Sequence, residues 1–167
     1  MKNFIHTFAA PLVLITCLLV GCNNDEDSLQ LMDEEEFLTA KIDGLDLFVQ
    51  GKEGIISCEK YITHTGSIDV FLRVRTISGE SIEFKLSNYI GNNSYSLGSS
   101  MFHGSWIKYK QSEGEWINVK GNSQDLIEIL NDDGNYISGR FSFQGHNGTD
   151  LSRKLISDGN FRVKLDF

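Results

Sequence analysis

Residues 37–167 of this chain alternate apolar and polar side chains with a period of two, in short segments separated by glycine, asparagine and aspartate. In the last segment the apolar residues occupy every second position, at Phe161, Val163, Leu165 and Phe167. This alternation is typical of strands that bury one face, whereas a helix repeats about every 3.6 residues. About ten such segments follow one another at a spacing of roughly 8–12 residues. The sequence therefore predicts an all-β domain, an antiparallel β-sandwich, with a small β-barrel as the alternative.

Residues 1–21 have the pattern of an export signal. Lys2 supplies a positive start, and the apolar run from Phe8 to Val20 is, at about 13 residues, too short to span a bilayer as a helix. The run ends in the sequence Leu-Val-Gly-Cys at residues 19–22, which resembles the lipobox of bacterial lipoproteins. This resemblance implies cleavage before Cys22 and a lipid on its thiol. An ordinary signal peptide is the alternative.

The three cysteines then have separate fates. Cys17 leaves with the signal peptide and Cys22 carries the lipid, so Cys58 remains as a single thiol. No intramolecular disulfide is expected, although the chain is exported to an oxidising compartment. The alternation places Cys58 on the same face as Ile56, and we expect it to be a small buried hydrophobic residue. The lipid is the expected membrane anchor, because no later stretch approaches about 18 consecutive apolar residues.

Negative charge is concentrated in residues 22–36, which hold seven of the 23 acidic residues. Like charges with few apolar side chains do not fold. The segment is therefore predicted to be a flexible tether between the lipid and a single β domain, residues 37–167. The formal net charge of −8 argues against nucleic acid as a partner, because displacing counterions from phosphate needs a basic surface.

Two short motifs in the tether resemble signals of surface lipoproteins of the Bacteroidetes group. Residues 23–27 (Asn-Asn-Asp-Glu-Asp) are similar to the acidic export signal that follows the lipidated cysteine; a plain solvated spacer is the alternative. Residues 27–29 (Asp-Ser-Leu) resemble the O-glycosylation motif of that group, which implies a glycan on Ser28. The expected location is the outer membrane with the domain on the cell surface, and a periplasm-facing orientation is the alternative.

The β domain is itself similar to a family of small uncharacterised lipoproteins common in Bacteroidetes. The similarity lies in a first strand that ends in Asp-Gly, Phe37–Gly44, and in two late strands, Ile137–Phe143 and Ile156–Val163. These late strands carry the patterns Gly-x-Phe-x-Phe and Gly-x-Phe-x-Val. The chain departs from the family at residues 47–48 (Leu-Phe), where family members often carry tryptophan. That family has no established activity, so the resemblance implies a location and a fold without a function.

The chain contains no motif of enzyme chemistry. A nucleophile elbow, a His-Glu-x-x-His zinc motif, a phosphate-binding loop and the Gly-x-Gly-x-x-Gly dinucleotide motif are all absent. His64, His103 and His146 are scattered, each near a glycine in or beside a predicted turn, so no metal site is expected. We therefore predict no catalytic residue, no metal and no cofactor. An enzyme whose residues meet only in the fold is the less favoured alternative.

Two tryptophans are the candidate ligand-binding residues. Trp106 and Trp116 flank a hairpin predicted across Gln111–Gly114, and each is in step with polar residues of its own strand. If both registers hold, both indoles lie on the solvent side of adjacent strands, where they would stack on a sugar ring or contact a protein. The alternative is that a loop covers them, or that a bulge near Gly104 reverses the register.

Together these patterns predict a lipid-anchored cell-envelope protein that serves as a non-catalytic binding or structural accessory, with glycans as the ligands of Trp106 and Trp116. A module that pairs with another envelope protein, through the same surface or an open sheet edge, is the alternative. In either case the lipid on Cys22 connects the protein to the membrane.

Overall fold

The computed structural model describes residues 35–98, 104–119, 122 and 125–166. These residues form eleven strands, and the predicted all-β class with about ten strands is confirmed. No helix among them is long and apolar enough to cross a membrane. In chain order the strands are β1 (Phe37–Ile42), β2 (Leu45–Gln50), β3 (Gly54–Ile62), β4 (Ile68–Thr76), β5 (Ser81–Leu86), β6 (Ser94–Tyr95), β7 (Trp106–Gln111), β8 (Gly114–Asn118), β9 (Leu126–Asp132), β10 (Tyr136–His146) and β11 (Arg153–Lys164).

The strands form one sheet that curls into a nearly closed barrel. Its order is β2-β1-β11-β10-β8-β7-β5-β4-β3, and β9 pairs with both β10 and β6. The closure joins β3 to the chain just after β11. There the N–H of Asp166 donates to the carbonyl of Cys58 at 2.7 Å, and the carbonyl of Asp166 accepts from the N–H of Lys60 at 3.2 Å. A sandwich would consist of two separate sheets. The single continuous sheet therefore corresponds to the barrel, the alternative that the sequence left open.

Apolar side chains from nearly every strand fill the interior of the barrel. Three phenylalanine rings lie close together there: the ring centre of Phe84 is 5.2 Å from that of Phe161 and 6.4 Å from that of Phe141. Tilted pairs of this kind bring the positive edge of one ring near the negative face of the other. Cys58 belongs to the same core and is fully buried, as expected, and burial raises the pKa of its thiol.

The predicted hairpin at Asp43-Gly44 is confirmed as the connection of β1 to β2. Both turn residues have positive φ, 50° at Asp43 and 85° at Gly44. Two consecutive residues of this kind are what a type I′ turn requires, and its twist matches that of the two strands.

The described chain enters β1 through Glu36, a residue assigned above to the tether. The carbonyl of Glu36 accepts from the N–H of Gly51 at 3.0 Å, and its carboxylate accepts from the N–H of Lys164 at 2.8 Å. Contact with the barrel therefore begins before Phe37. The predicted lipidation site Cys22 and the predicted glycosylation site Ser28 lie outside the described residues.

Candidate functional site

The hairpin of β7 and β8 decides where the two candidate tryptophans point. Its turn has two residues, and Trp116 lies opposite Tyr109 across the two strands. Directly opposed residues share a face of the sheet, and Tyr109 belongs to the core. Trp116 therefore points inward, and the prediction that it lies on the solvent side is wrong. Trp106 does lie on the outer face with Lys108, because a turn of this length places the two tryptophans on opposite faces.

Trp116 is part of the barrel core, with only 4% of its surface exposed. Its Nε1 donates to the hydroxyl of Ser152 at 2.8 Å. Its ring centre lies 5.9 Å from that of Tyr109, and the ammonium group of Lys154 lies 4.9 Å from the centre of the indole. These contacts use both the N–H and the faces of the ring, so Trp116 supports the packing of the barrel and has no free surface for a ligand.

Trp106 is covered although it points outward, and only 6% of its surface is exposed. The ring of Phe71 meets it edge to face at 5.8 Å, and the ammonium group of Lys108 lies 5.6 Å from its centre. Its Nε1 is buried without a hydrogen-bond partner among the described residues. The expectation of an exposed pair of indoles is therefore wrong for both residues, and neither ring is free to stack on a sugar.

A polar cleft of about 480 Å³ opens elsewhere on the outer face of the barrel, beside the turn from β3 to β4. Its walls come from the end of β3, from that turn, from the start of β4 and from the end of β5 with the residues that follow. Tyr61 and Asp69 are directly opposed across β3 and β4, and therefore share the outer face. The lining residues are Tyr61, Thr63, His64, Thr65, Ser67, Asp69, Lys85, Ser87 and Asn88.

A charged pair forms the floor of this cleft. The carboxylate of Asp69, which is only 4% exposed, accepts from the ammonium group of Lys85 at 2.8 Å and from the backbone N–H of Asn88 at 3.0 Å. The hydrogen bond to Asp69 is the main reason why the pKa of Lys85 is raised; the nearby Tyr61 hydroxyl adds to the effect. The lysine therefore stays protonated at neutral pH, and the two opposite charges cancel within the cleft.

Three hydroxyl groups form one rim of the cleft. Thr63 Oγ1 lies 2.8 Å from Thr65 Oγ1 and 2.7 Å from the hydroxyl of Ser67. The backbone N–H of Thr63 also donates to the carbonyl of Ser67 at 2.8 Å, and Gly66 turns the chain with a φ of 84°. Each hydroxyl is both a donor and an acceptor, so the rim presents hydrogen-bonding groups in a fixed arrangement without a net charge.

Ion pairs join the strands β4, β5, β7 and β8 beside the cleft. Glu83 accepts from Arg73 at 2.9 Å and lies 3.3 Å from the ammonium group of Lys108, which lies 3.1 Å from Glu115. The charges of these four side chains are therefore matched by neighbours across the strands. A strongly charged ligand gains no large field from this part of the surface.

This cleft was not predicted from the sequence. His64 was considered only as one of three scattered histidines, and Tyr61, Asp69 and Lys85 had no predicted role. A signal was present, because Asp69 and Lys85 occupy outward positions of two consecutive strands whose inward positions are apolar. Their proximity depends on the register between β4 and β5, in which Val70 pairs with Leu86.

Metal coordination and known relatives give no further assignment. Within the described ranges there is no group of three or more His, Cys, Asp or Glu side chains placed to hold a metal ion. Comparisons of the chain with protein-family models, with curated proteins and with solved structures found no match.

Proposed function

We propose that this protein is a lipid-anchored lipoprotein of the bacterial outer membrane whose barrel domain binds a small polar ligand without transforming it. The observation that supports this best is the Asp69–Lys85 pair, in which a buried carboxylate holds a partly exposed ammonium group at the floor of a cleft that remains open to solvent. Small-molecule sites commonly combine a concave surface of this size, about 300–1,000 Å³, with a few fixed polar groups. The cleft has both properties.

The state of Lys85 favours binding over catalysis. A lysine acts as a nucleophile or a base only when its pKa is lowered towards neutrality. The contact with Asp69 raises the pKa of Lys85 instead. A protonated lysine paired with a carboxylate offers a fixed donor and a fixed acceptor, which suits the recognition of a ligand.

The membrane anchor rests on Cys22 and its lipobox-like context. Cys58 is fully buried and its thiol has a raised pKa, and a buried neutral thiol is a poor acceptor for an acyl group. The resemblance to small Bacteroidetes lipoproteins and the acidic residues of the tether support a position on the cell surface. There the tether would hold the barrel away from the membrane.

Replacing the two cysteines separately tests the anchor in the full-length chain. In cells grown with labelled palmitate, we expect Cys22→Ser to lose the label and to leave the membrane fraction. Cys58→Ala is the matched control and should keep both. Label retained in Cys22→Ser, together with sedimentation in the membrane fraction, would refute the lipid anchor.

A protein partner at the edge of β2 is the second candidate function. Among the described residues β2 pairs only with β1, and 54% of the surface of Phe48 on this strand is exposed. An unpaired edge with an exposed aromatic residue suits the addition of a partner strand. Native electrophoresis of membrane extracts tests this: Phe48→Lys should shift the protein to a smaller species, whereas Ile77→Lys in the exposed turn after β4 should not. An unchanged size for Phe48→Lys would exclude this edge.

A further inference from the structure

We infer that the ligand of the polar cleft is a neutral sugar, bound against the ring of Tyr61 and hydrogen-bonded by the groups around Lys85. This inference rests on the proposed binding function of the cleft and adds the chemical class of the ligand. Three properties of the cleft support it: an exposed aromatic wall, a set of hydrogen-bonding groups with capacity to spare, and the cancellation of charge.

The aromatic wall is Tyr61, which lies at the end of β3 with 42% of its surface exposed. Its position is fixed by backbone pairing with Asp69, and its hydroxyl is near enough to the ammonium group of Lys85 to help raise the pKa of that lysine. An aromatic ring of this kind offers an apolar face beside a polar tip. The C–H face of a sugar ring is the complementary surface, because its hydroxyl groups point outward from the ring edge towards the polar neighbours of the tyrosine.

The polar groups of the cleft have capacity beyond their contacts within the protein. An ammonium group has three N–H donors, and Lys85 directs one of them to Asp69, so it keeps donors for a ligand. The exposed side chain of Asn88 adds a donor and an acceptor. The hydroxyl groups of Thr65 and Ser67, each within hydrogen-bond distance of Thr63 Oγ1, still have lone pairs that can accept. Neighbouring hydroxyls of a sugar each donate and accept, which matches this mixture.

Charge excludes the competing classes of ligand. The Asp69–Lys85 pair has no net charge, and Glu83 and Lys108 on neighbouring strands of the same sheet are also paired. An anion would meet the Asp69 carboxylate next to the lysine, and a cation would meet the lysine next to the carboxylate. The arrangement therefore favours a neutral ligand that forms many hydrogen bonds over phosphate, a carboxylic acid or an amine.

A glycan array tests the class of ligand directly. The full-length protein, extracted in detergent, is applied to immobilised neutral and acidic oligosaccharides. We expect retention on neutral glycans and a loss of at least tenfold with Tyr61→Ala, while Tyr61→Phe stays within threefold of the parent because it keeps the ring. Leu155→Ala, at an exposed apolar residue of β11 that does not line the cleft, should bind like the parent.

A second variant makes the test independent of the tyrosine. Asn88 has a positive φ of 55°, a conformation that glycine adopts without strain. Asn88→Gly therefore removes the amide without disturbing the backbone, and we expect a threefold to tenfold loss of retention.

The outcomes separate this inference from the proposed function. Retention of acidic glycans alone, or undiminished binding by Tyr61→Ala, would overturn the neutral-sugar assignment. Binding of inorganic phosphate or spermidine that Asn88→Gly weakens would overturn it too, while leaving the cleft as a binding site. If no glycan on the array, phosphate or spermidine binds, both the inference and the proposed role of the cleft fail. The palmitate experiment on Cys22 reports on the anchor in every case.

Discussion

Replacing each tryptophan by phenylalanine tests how the barrel uses its two indoles, because the two sites are closely matched. Both rings are buried, both have an aromatic neighbour 5.8–5.9 Å away, and both lie near a lysine ammonium group. The sites differ at the indole nitrogen. Trp116 Nε1 donates to Ser152, whereas Trp106 Nε1 has no partner in the part of the chain that the structure describes.

The two variants should differ in their free energy of unfolding because of this one atom. Loss of indole volume costs each variant about 2 kcal/mol, taking about 0.8 kcal/mol for each buried group of methylene size. Trp116→Phe also loses a hydrogen bond worth about 1 kcal/mol, and Trp106→Phe removes an unpaired buried donor whose desolvation costs about 1–3 kcal/mol. We therefore expect Trp116→Phe to lower the free energy of unfolding by about 3 kcal/mol and Trp106→Phe to change it by no more than about 1 kcal/mol in either direction.

Urea unfolding followed by far-UV circular dichroism measures the difference. With a slope of about 2 kcal/mol per molar urea, the two midpoints should differ by about 1–2 M. Each variant keeps one tryptophan, so its fluorescence supplies a second probe of the same transition. Equal midpoints, or a lower midpoint for Trp106→Phe, would refute the assignment of Trp106 Nε1 as the unpaired donor.

Three further predictions concern the core and the cleft. Gly159→Ala puts a methyl group against the Phe141 ring and should lower the free energy of unfolding by about 1–3 kcal/mol, measured by urea titration. The Cys58 thiol should resist iodoacetamide until urea unfolds the chain, because it is buried; labelling of the folded protein would contradict this. Asp69 raises the pKa of Lys85 in the folded protein. The contribution of this pair to the free energy of unfolding is therefore complete below about pH 10.4, the pKa of an unfolded lysine, and is lost as pH rises through the higher pKa of the folded state. Above about pH 10, the free energy of unfolding should therefore fall less steeply with pH in Asp69→Asn than in the parent. An equal slope would contradict the coupling of Asp69 to Lys85.

Local patterns predicted the strands and the first hairpin because both depend on neighbouring residues. Alternation identifies a strand from its own side chains, and the Asp43-Gly44 turn needs only two residues that adopt positive φ. Closure of the barrel depends instead on the pairing of Glu59 with Asp166, which are far apart in the sequence. No local pattern distinguishes a sheet that closes in this way from one that splits into two layers.

The tryptophans show how a buried polar residue misleads an interpretation of strand faces. Alternation along β7 placed Trp106 on the correct face, and alternation along β8 correctly placed Trp116 with Asn118. The error was to take polar Asn118 as a sign of the solvent face: Asn118 is buried, where its side chain accepts from the N–H of Ile107 and donates to the carbonyl of Gly98. Burial of the outward-facing Trp106 was also beyond a pattern analysis, because Phe71 covers it from another strand.

The Asp69–Lys85 pair separates a role in binding from a role in stability. Bringing two charges out of water costs several kcal/mol per ion, and replacing such a pair by apolar residues of similar volume is often neutral or stabilising by about 1–4 kcal/mol. The double variant Asp69→Leu, Lys85→Met also leaves the N–H of Asn88 without its acceptor, at a cost of about 1 kcal/mol. We therefore expect its thermal midpoint to equal or exceed that of the parent, while its retention on neutral glycans falls at least tenfold. A stable variant that still binds would place the ligand outside the cleft. A strongly destabilised variant would show that the pair is kept for the fold.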